Sequence, residues 1–552
     1  MIISKMLLYW HTLRHLKLIQ FYRRIWFKFY KPNLNLLTTK YSHRLPTGDW
    51  QLPVAKSPVM VDALQFRFLN QIHTLPAEGG WNDIASEKLW LYNLHYFDDL
   101  NAQDALQRSE WHKTLITRWI KENPPASGNG WEPYPTSLRI VNWIKWLAIG
   151  NVPVSGMLES LVIQTKWLEK RLEKHLLGNH LFANAKALVF AGLFFDAPQS
   201  TKWLAAGLNL IDQQLPEQVL ADGGNFERST MYHSIFLEDL LDLINASKCW
   251  PEFVSEGKIN QWCEIANRML AWLDGLTHPD GEIALFNDAA FNIAPQASEL
   301  RAYAQRLSFF VKGHDEFIQG RLKLIHFAES GYVRLEALHA LGLLDVAPIG
   351  PDYLPGHAHA DTLSFELSLF EQRVVVNGGT SCYNIGIERL RERGTANHST
   401  VEVDTQNSSE VWSAFRVARR AYPFDLKILN EMDELKVACS HDGYSRLTGS
   451  PVHRREWKMT SESLIVTDLV EGVEHVAVAR YILHPDVKVI EVGCNEWLLE
   501  LLGGQTIRII VLDGSARLGR AKYAPEFGKV FPTKSLEVDL VKGFACTQLI
   551  WH

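Results

Sequence analysis

The chain has 552 residues, 47% apolar and 21% charged, which excludes both a disordered polymer and a polytopic membrane protein. A net charge of −6 with a pI near 6.4 argues against a nucleic-acid partner, so an anionic ligand would need a local basic pocket. The length allows roughly three or four average domains, or two large ones, and the six scattered cysteines, without CxxC spacing, suggest neither a zinc knuckle nor a disulfide framework.

Between Met1 and Arg44 lie nine Lys or Arg residues and no acid, interleaved with Trp10, Phe21, Tyr22, Trp26, Phe27, Phe29 and Tyr30. Such a basic aromatic segment either packs on the rest of the protein or lies on an anionic membrane surface. His11, Arg14, His15 and Lys17 interrupt its apolar residues before a signal-peptide core can develop. A cytoplasmic or inner-membrane peripheral location is therefore expected in preference to a periplasmic one.

From about Pro58 to Gly313 apolar residues recur at three and four, as in Leu161, Trp167, Leu168, Leu172 and Leu176, which predicts a helical domain of several hairpins. Within it, WLYNLHYFD offers Tyr92 and His95, and WEPYPTSLRIVNW offers Trp131 and Arg139, as a sugar platform and a carboxylate fork or as core and salt bridge. Gly178-Asn179-His180 falls at a predicted helix junction. DGGNFERSTMYHS, 222–234, crowds Glu227, Tyr232 and His233 at a helix start that Ser229 or Thr230 can cap.

Past Phe327 short alternating runs such as TLSFELSLF, ESLIVTDLV and TIRIIVLDG predict antiparallel strands, with the boundary near 315–330. His357, His359 and Asp361 stand at alternate positions before Phe365, so a strand there would send all three to one face. With Asn377 and His398 they suit zinc or a similar ion, His359 and His398 as ligands and His357 left free, or a hydrogen-bonded histidine cluster.

HAHADTLSFEL, VVVNGGTSCYN and GTANHSTVEVD, together with GNHLFANAKAL, DGGNFERSTMYH, PDGEIALFNDA and HDGYSRL in matching order, resemble the heparinase II/III-like polysaccharide lyases. The resemblance implies an α+β multidomain protein: a basic segment 1–45, an incomplete α/α toroid 46–315, and an antiparallel β-sandwich-like domain 316–552. It implies β-elimination on a uronate-containing polysaccharide, with Asn179 and His180 neutralising the uronate carboxylate, Tyr232 as acid/base and His357 as second catalytic histidine. Arg139, Trp131, Tyr92, His95, Glu227 and Tyr383 are the expected substrate contacts, and His359, Asn377 and His398 the ligands of a structural divalent ion, zinc first. No organic cofactor is expected; a homodimer is a further expectation.

Two departures stand out. Many members carry Asp where Asn377 stands, and Leu181-Phe182-Ala183-Asn184 lacks the glutamate some members place after the histidine. A glycoside hydrolase would instead need a carboxylic-acid pair; Glu227 with Asp222 is available but not singled out. A glycan-binding or polysaccharide-assembly protein on the same scaffold is the alternative from another class.

Overall fold

A computed structural model of the protein describes residues 2–33, 42–309, 322–472 and 475–552. The chain opens with two helices, Ile2–Leu13 and Leu18–Phe29. A short antiparallel sheet follows, Met60–Asp62, Gln65–Phe68 and Gln71–Thr74, where the sequence predicts helix from Pro58. The strands are too short for their period to stand out, but Phe66 and Phe68 point inward while Arg67 points out, the alternation a half-buried strand requires.

Helices then run Lys88–Tyr96, Ser109–Glu122, Pro133–Ala148, Met157–Lys170, Gly178–Phe194, Pro198–Gln218, Thr230–Cys249, Glu256–Gly275 and Ala297–Arg306. Pro133 sits in the first turn of its helix, where its missing N–H costs nothing. Gly178–Phe194 is apolar around nearly its whole circumference and packs against 133–148, 198–218 and 230–249, so it is the central helix of this half. Helix gives way to strand between Arg306 and Lys323; the expected boundary at 315/316 lies outside the described residues.

The rest forms two large antiparallel sheets. Strands Val452–Met459, Ser463–Glu471 and Phe544–Trp551 alternate buried and half-buried positions, with one face turned inward. Strands Ala340–Asp345 and Phe365–Leu369 of the other sheet are buried at every position. One apolar core, including Leu335, Phe365, Leu367, Trp457, Leu464 and Leu549, draws on both sheets. On its other face the second-named sheet meets the helical half, where Trp272, Leu276 and Phe286 pack on Tyr332, Leu341 and Leu343. His278 bonds Ser368 and Glu366 across this junction at 2.7 and 2.9 Å, and Arg373 pairs with Asp280 at 2.7 Å. These buried polar links fix the register of one half on the other, and with it the cleft between them.

Candidate active site

Gly178 begins its helix at φ 53° after Leu177 at φ 67°, both left-handed. A Cβ on Gly178 would lie 2.5 Å from a Leu354 methyl and 3.1 Å from the Glu227 carboxylate, at a φ that side chains rarely adopt, so glycine is the residue that fits without strain. The first turn of the central helix is thereby held against a loop of the sheet half. Asn179 donates its N–H to Glu227, and its half-exposed side chain lies at the positive end of the helix.

The His180 side chain is 31% exposed, its ring packs on Tyr134 with centroids 4.5 Å apart, and its Nδ1 meets Glu173 Oε1 at 3.1 Å. Burial lowers the pKa of this imidazole, but the Glu173 carboxylate outweighs burial and raises it above the ordinary value. The Glu173 carboxylate thus favours the cationic form of this imidazole.

Ser229 caps the helix Thr230–Cys249 by accepting from the Tyr232 N–H at 3.2 Å and donates to the Asp288 carbonyl at 2.5 Å. The Tyr232 ring lies 3.8 Å from the His357 ring, centroid to centroid, and its hydroxyl is 3.1 Å from that of Tyr383. Burial, with Tyr383 and Asp288 adding to it, pushes the Tyr232 phenol well above its usual pKa, so it rests protonated.

His357 Nδ1 donates to Asp288 Oδ2 at 3.0 Å, which leaves the lone pair on Nε2; that atom is 3.7 Å from Glu227 Oε2 and the side chain is 15% exposed. Asp288 also accepts from His359 Nε2 at 2.8 Å and from both Arg389 Nη atoms, and Arg389 lies 4.8 Å from the Tyr383 ring centre. Burial would raise the Asp288 carboxyl, yet Arg389, His357 and His359 together hold it well below the carboxylate range. Asn287 and Arg228 flank the network at φ 56° and 57°, and the Asn287 amide donates to the Arg228 carbonyl at 3.0 Å. Left-handed backbone held by such contacts is strain built into the cleft wall.

The structure therefore brings Asn179, His180, Tyr232, His357 and Tyr383 together. It does not do so for several expected substrate contacts. Arg139 is fully buried, bonded to Gln164 Oε1 at 2.9 Å and to the Gly130 carbonyl at 2.8 Å, with its guanidinium 3.8 Å from the Trp119 ring centre. His95 is buried between the Trp81 carbonyl and the Trp119 indole, and Trp131 is buried with its Nε1 on the Asn123 carbonyl. These three form a polar knot inside the helical half, because a buried guanidinium must find carbonyls wherever it lies. Glu227 is buried as well, with its carboxylate beside His357 Nε2 and the Asn179 N–H. Tyr92 stays half-buried, its hydroxyl on Glu132.

The segment 357–361 is not a strand; the strand begins at Phe365. Its residues do not share one target either, since Asp361 accepts from the Asn287 N–H at 2.9 Å while both histidines reach Asp288. As for a metal, donation from His359 Nε2 to Asp288 leaves Nδ1 bare. Asn377 Oδ1, which accepts from the Ser399 N–H at 3.2 Å, lies 3.3 Å from His398 Nδ1, so the His398 proton belongs on Nδ1 and Nε2 is bare too. The two bare nitrogens face each other at 3.2 Å, close to the roughly 3.3 Å edge of a tetrahedron with Zn–N bonds of about 2.0 Å. His359 and His398 would supply two ligands of such an ion, with Asp288 in the carboxylate position behind a ligating histidine. Asn377 does not fit as a ligand, being turned to the far edge of His398. Among the described residues no set of three or more His, Cys, Asp or Glu is spaced for a metal.

The N-terminal model of the heparinase II/III family matches residues 100–316, and the model described as heparinase II/III-like, C-terminal, matches 319–548. The chain belongs to the heparinase II/III-like family. A heparin-sulfate lyase of Pedobacter heparinus is 26% identical over 255 residues, 42% of this chain and 36% of that protein. One from Bacteroides stercoris is 23% identical over 260 residues, 44% of this chain and 38% of that protein. The chain thus spans little more than a third of the length of these curated relatives. The crystal structure of heparinase III superposes with a TM-score of 0.70 at 16% identity, over 96% of this chain and 89% of that one. A chondroitinase AC lyase gives 0.52 at 11% identity, over 86% and 77%. Heparinase and chondroitinase structures share its helices followed by large antiparallel sheets.

Within this heparinase II/III-like frame, sequence reasoning passed over Asp288, Arg389, Glu173 and Tyr134. Asp288 lies in FNDA, one of the segments that carry the family resemblance, but its partner Arg389 is 101 residues away and sits in a short charged helix, Ile387–Arg393, that reads as solvated surface.

Proposed function

We propose that this protein is a polysaccharide lyase that cleaves a uronate-containing anionic polysaccharide by β-elimination. The observation that carries the reading is the close contact of the Tyr232 phenol with the His357 imidazole, ring centres 3.8 Å apart, with Asn179 and His180 on the adjoining wall. The helical half is read as an incomplete α/α toroid over 46–315 and the two sheets as a sandwich over 316–552, a division supported by the sequential pairing of the long helices and by the core that both sheets share.

The C5 proton of a uronate is a weak acid because its removal adds charge beside a carboxylate. Asn179 and protonated His180 neutralise that carboxylate and stabilise the enolate-like transition state, as donors in an oxyanion hole do. His357, its Nδ1 fixed by Asp288, takes the proton through Nε2, and Tyr232 gives its phenolic proton to the departing glycosidic oxygen. A phenol held protonated by burial suits a donor. Zinc on His359 and His398 would act structurally, holding the two imidazoles and, through Asp288, the orientation of His357.

The test follows ultraviolet absorbance of the unsaturated product with heparan-, chondroitin-, alginate- and glucuronan-type polymers. Absence of product from all of them, with polymer still bound, would replace this reading with glycan binding. The pH profile should report His180. Its raised pKa means that the Glu173 pair stabilises fully below about 6.5 and is lost as pH rises through the folded value. Activity should fall with rising pH on a limb set above 6.5, and Glu173→Gln should move that limb to lower pH. Dialysis against a chelator should remove zinc and lower the unfolding temperature, and His398→Ala should lower both zinc content and stability. A metal-free preparation with unchanged unfolding would leave a hydrogen-bonded histidine pair.

A further inference from the structure

Ile2–Leu13 and Leu18–Phe29 carry more apolar surface than the protein body covers. The inward side of the pair is tied to both halves. Arg171 donates to the Phe27 and Tyr30 carbonyls at 2.7 and 2.6 Å, Phe27 packs on His175 with ring centres 4.2 Å apart, and Lys17 pairs with Glu217. On the sheet side Tyr9 meets the Trp412 ring edge-on at 4.9 Å, the Trp412 indole donates to Thr12 at 3.1 Å, and Gln20 donates to the Tyr353 carbonyl at 3.1 Å. Ile19, Gln20, Arg23 and Phe27 are the shielded positions of the second helix, one stripe at helical spacing that Tyr30 continues just past its end.

A second stripe faces out. Met6, Trp10 and Leu13 on the first helix, and Leu18, Tyr22, Ile25 and Phe29 on the second, recur at intervals of three and four. Trp10 is 64% exposed, Leu18 83% and Phe29 75%. A helix needs one apolar stripe to dock on its own protein; the second, rich in aromatic rings, stays exposed and meets no partner among the described residues. Lys5, Arg14, Arg24, Lys28 and Lys31 are exposed around it, and no acid occurs before Asp49.

We propose that this helical pair binds the surface of an anionic lipid bilayer. Aromatic and aliphatic side chains flanked by Lys and Arg match the boundary between acyl chains and negatively charged headgroups. The helices would lie on the bilayer, not across it. Each has 12 residues, about 18 Å at 1.5 Å per residue, against a hydrocarbon core of about 30 Å, and among the described residues no helix is long and apolar enough to span a membrane. Because the inner stripe grips both halves, docking would hold the whole protein, and not a loose tail, at the surface. This inference stands on the N-terminal helices alone and is independent of the lyase reading.

The test is co-sedimentation of the full chain with vesicles of phosphatidylcholine alone and with vesicles in which phosphatidylglycerol replaces part of it. Binding should favour the anionic vesicles by at least about tenfold and weaken as salt rises. A Trp10→Ala/Ile25→Ala/Phe29→Ala variant and an Arg24→Glu/Lys28→Glu variant, each with the parent's unfolding temperature, should lose it. No binding, equal binding to both vesicle types, or full binding by either variant would overturn the proposal. So would a dimer in solution that the aromatic substitutions dissociate, since the stripe would then be covered by a second copy of the chain.

Discussion

Tyr232→Phe is expected to lower kcat by roughly 10²–10⁴-fold, the usual worth of a positioned proton donor, with KM little changed. The phenol has two features that make it the donor. It sits on the His357 ring, so a sugar whose C5 proton reaches His357 presents its C4 oxygen within reach of the same wall. Burial also holds its proton in place until the leaving group develops charge. In folding terms the change removes one contact, with the Tyr383 hydroxyl at 3.1 Å, and should cost only about 1 kcal/mol. A large rate loss on an almost unchanged unfolding curve is the signature to look for. Tyr383→Phe serves as the comparison: its hydroxyl touches the same atom, so equal or larger loss from this second variant, with Tyr232→Phe active, would transfer the donor role to Tyr383.

Much of this arrangement is written in local sequence, and the rest is written in distances that no local pattern carries. ESLIVTDLV reads as a strand because one of its faces meets the core and the other does not, and the structure alternates accordingly. The doubly covered strands read less cleanly by period, since burial on both sides removes the polar half of the alternation, as in Ala340–Asp345. Tyr232 and His357 stand out in dense polar segments, but Arg139, His95 and Trp131 stand in equally dense ones and are core. An arginine beside tryptophans has the same sequence whether its guanidinium meets carbonyls inside the fold or a carboxylate in a cleft. Asp288 is the reverse case: an ordinary turn aspartate in sequence becomes the junction of the site because chain segments about 70 and 100 residues away fold onto it.

Asp288→Asn should be the most damaging single substitution in the cleft, and its two effects have different origins. Arg389 is fully buried and spends both terminal nitrogens on this carboxylate. Neutralising the partner leaves a buried guanidinium without its counter-charge, at a cost of about 3–5 kcal/mol. The sign of the pH effect is fixed by the depressed pKa. The Asp288 contribution is complete above the unfolded value near 4 and is lost as pH falls through the folded one, so the gap between parent and variant should close in acid and stay open at neutral pH. The catalytic effect comes from the imidazole. An amide can donate where the carboxylate only accepts, which favours the His357 tautomer with its proton on Nε2 and removes the lone pair that takes the C5 proton. In a comparable aspartate–histidine pair that change costs about 10⁴-fold. His357→Ala separates the two effects, since it removes the base and leaves the Asp288–Arg389 pair in place: activity should vanish with a much smaller loss of stability. An Asp288→Asn protein that unfolds earlier but turns over at the parent's rate would show that the carboxylate holds the fold and does not orient the base.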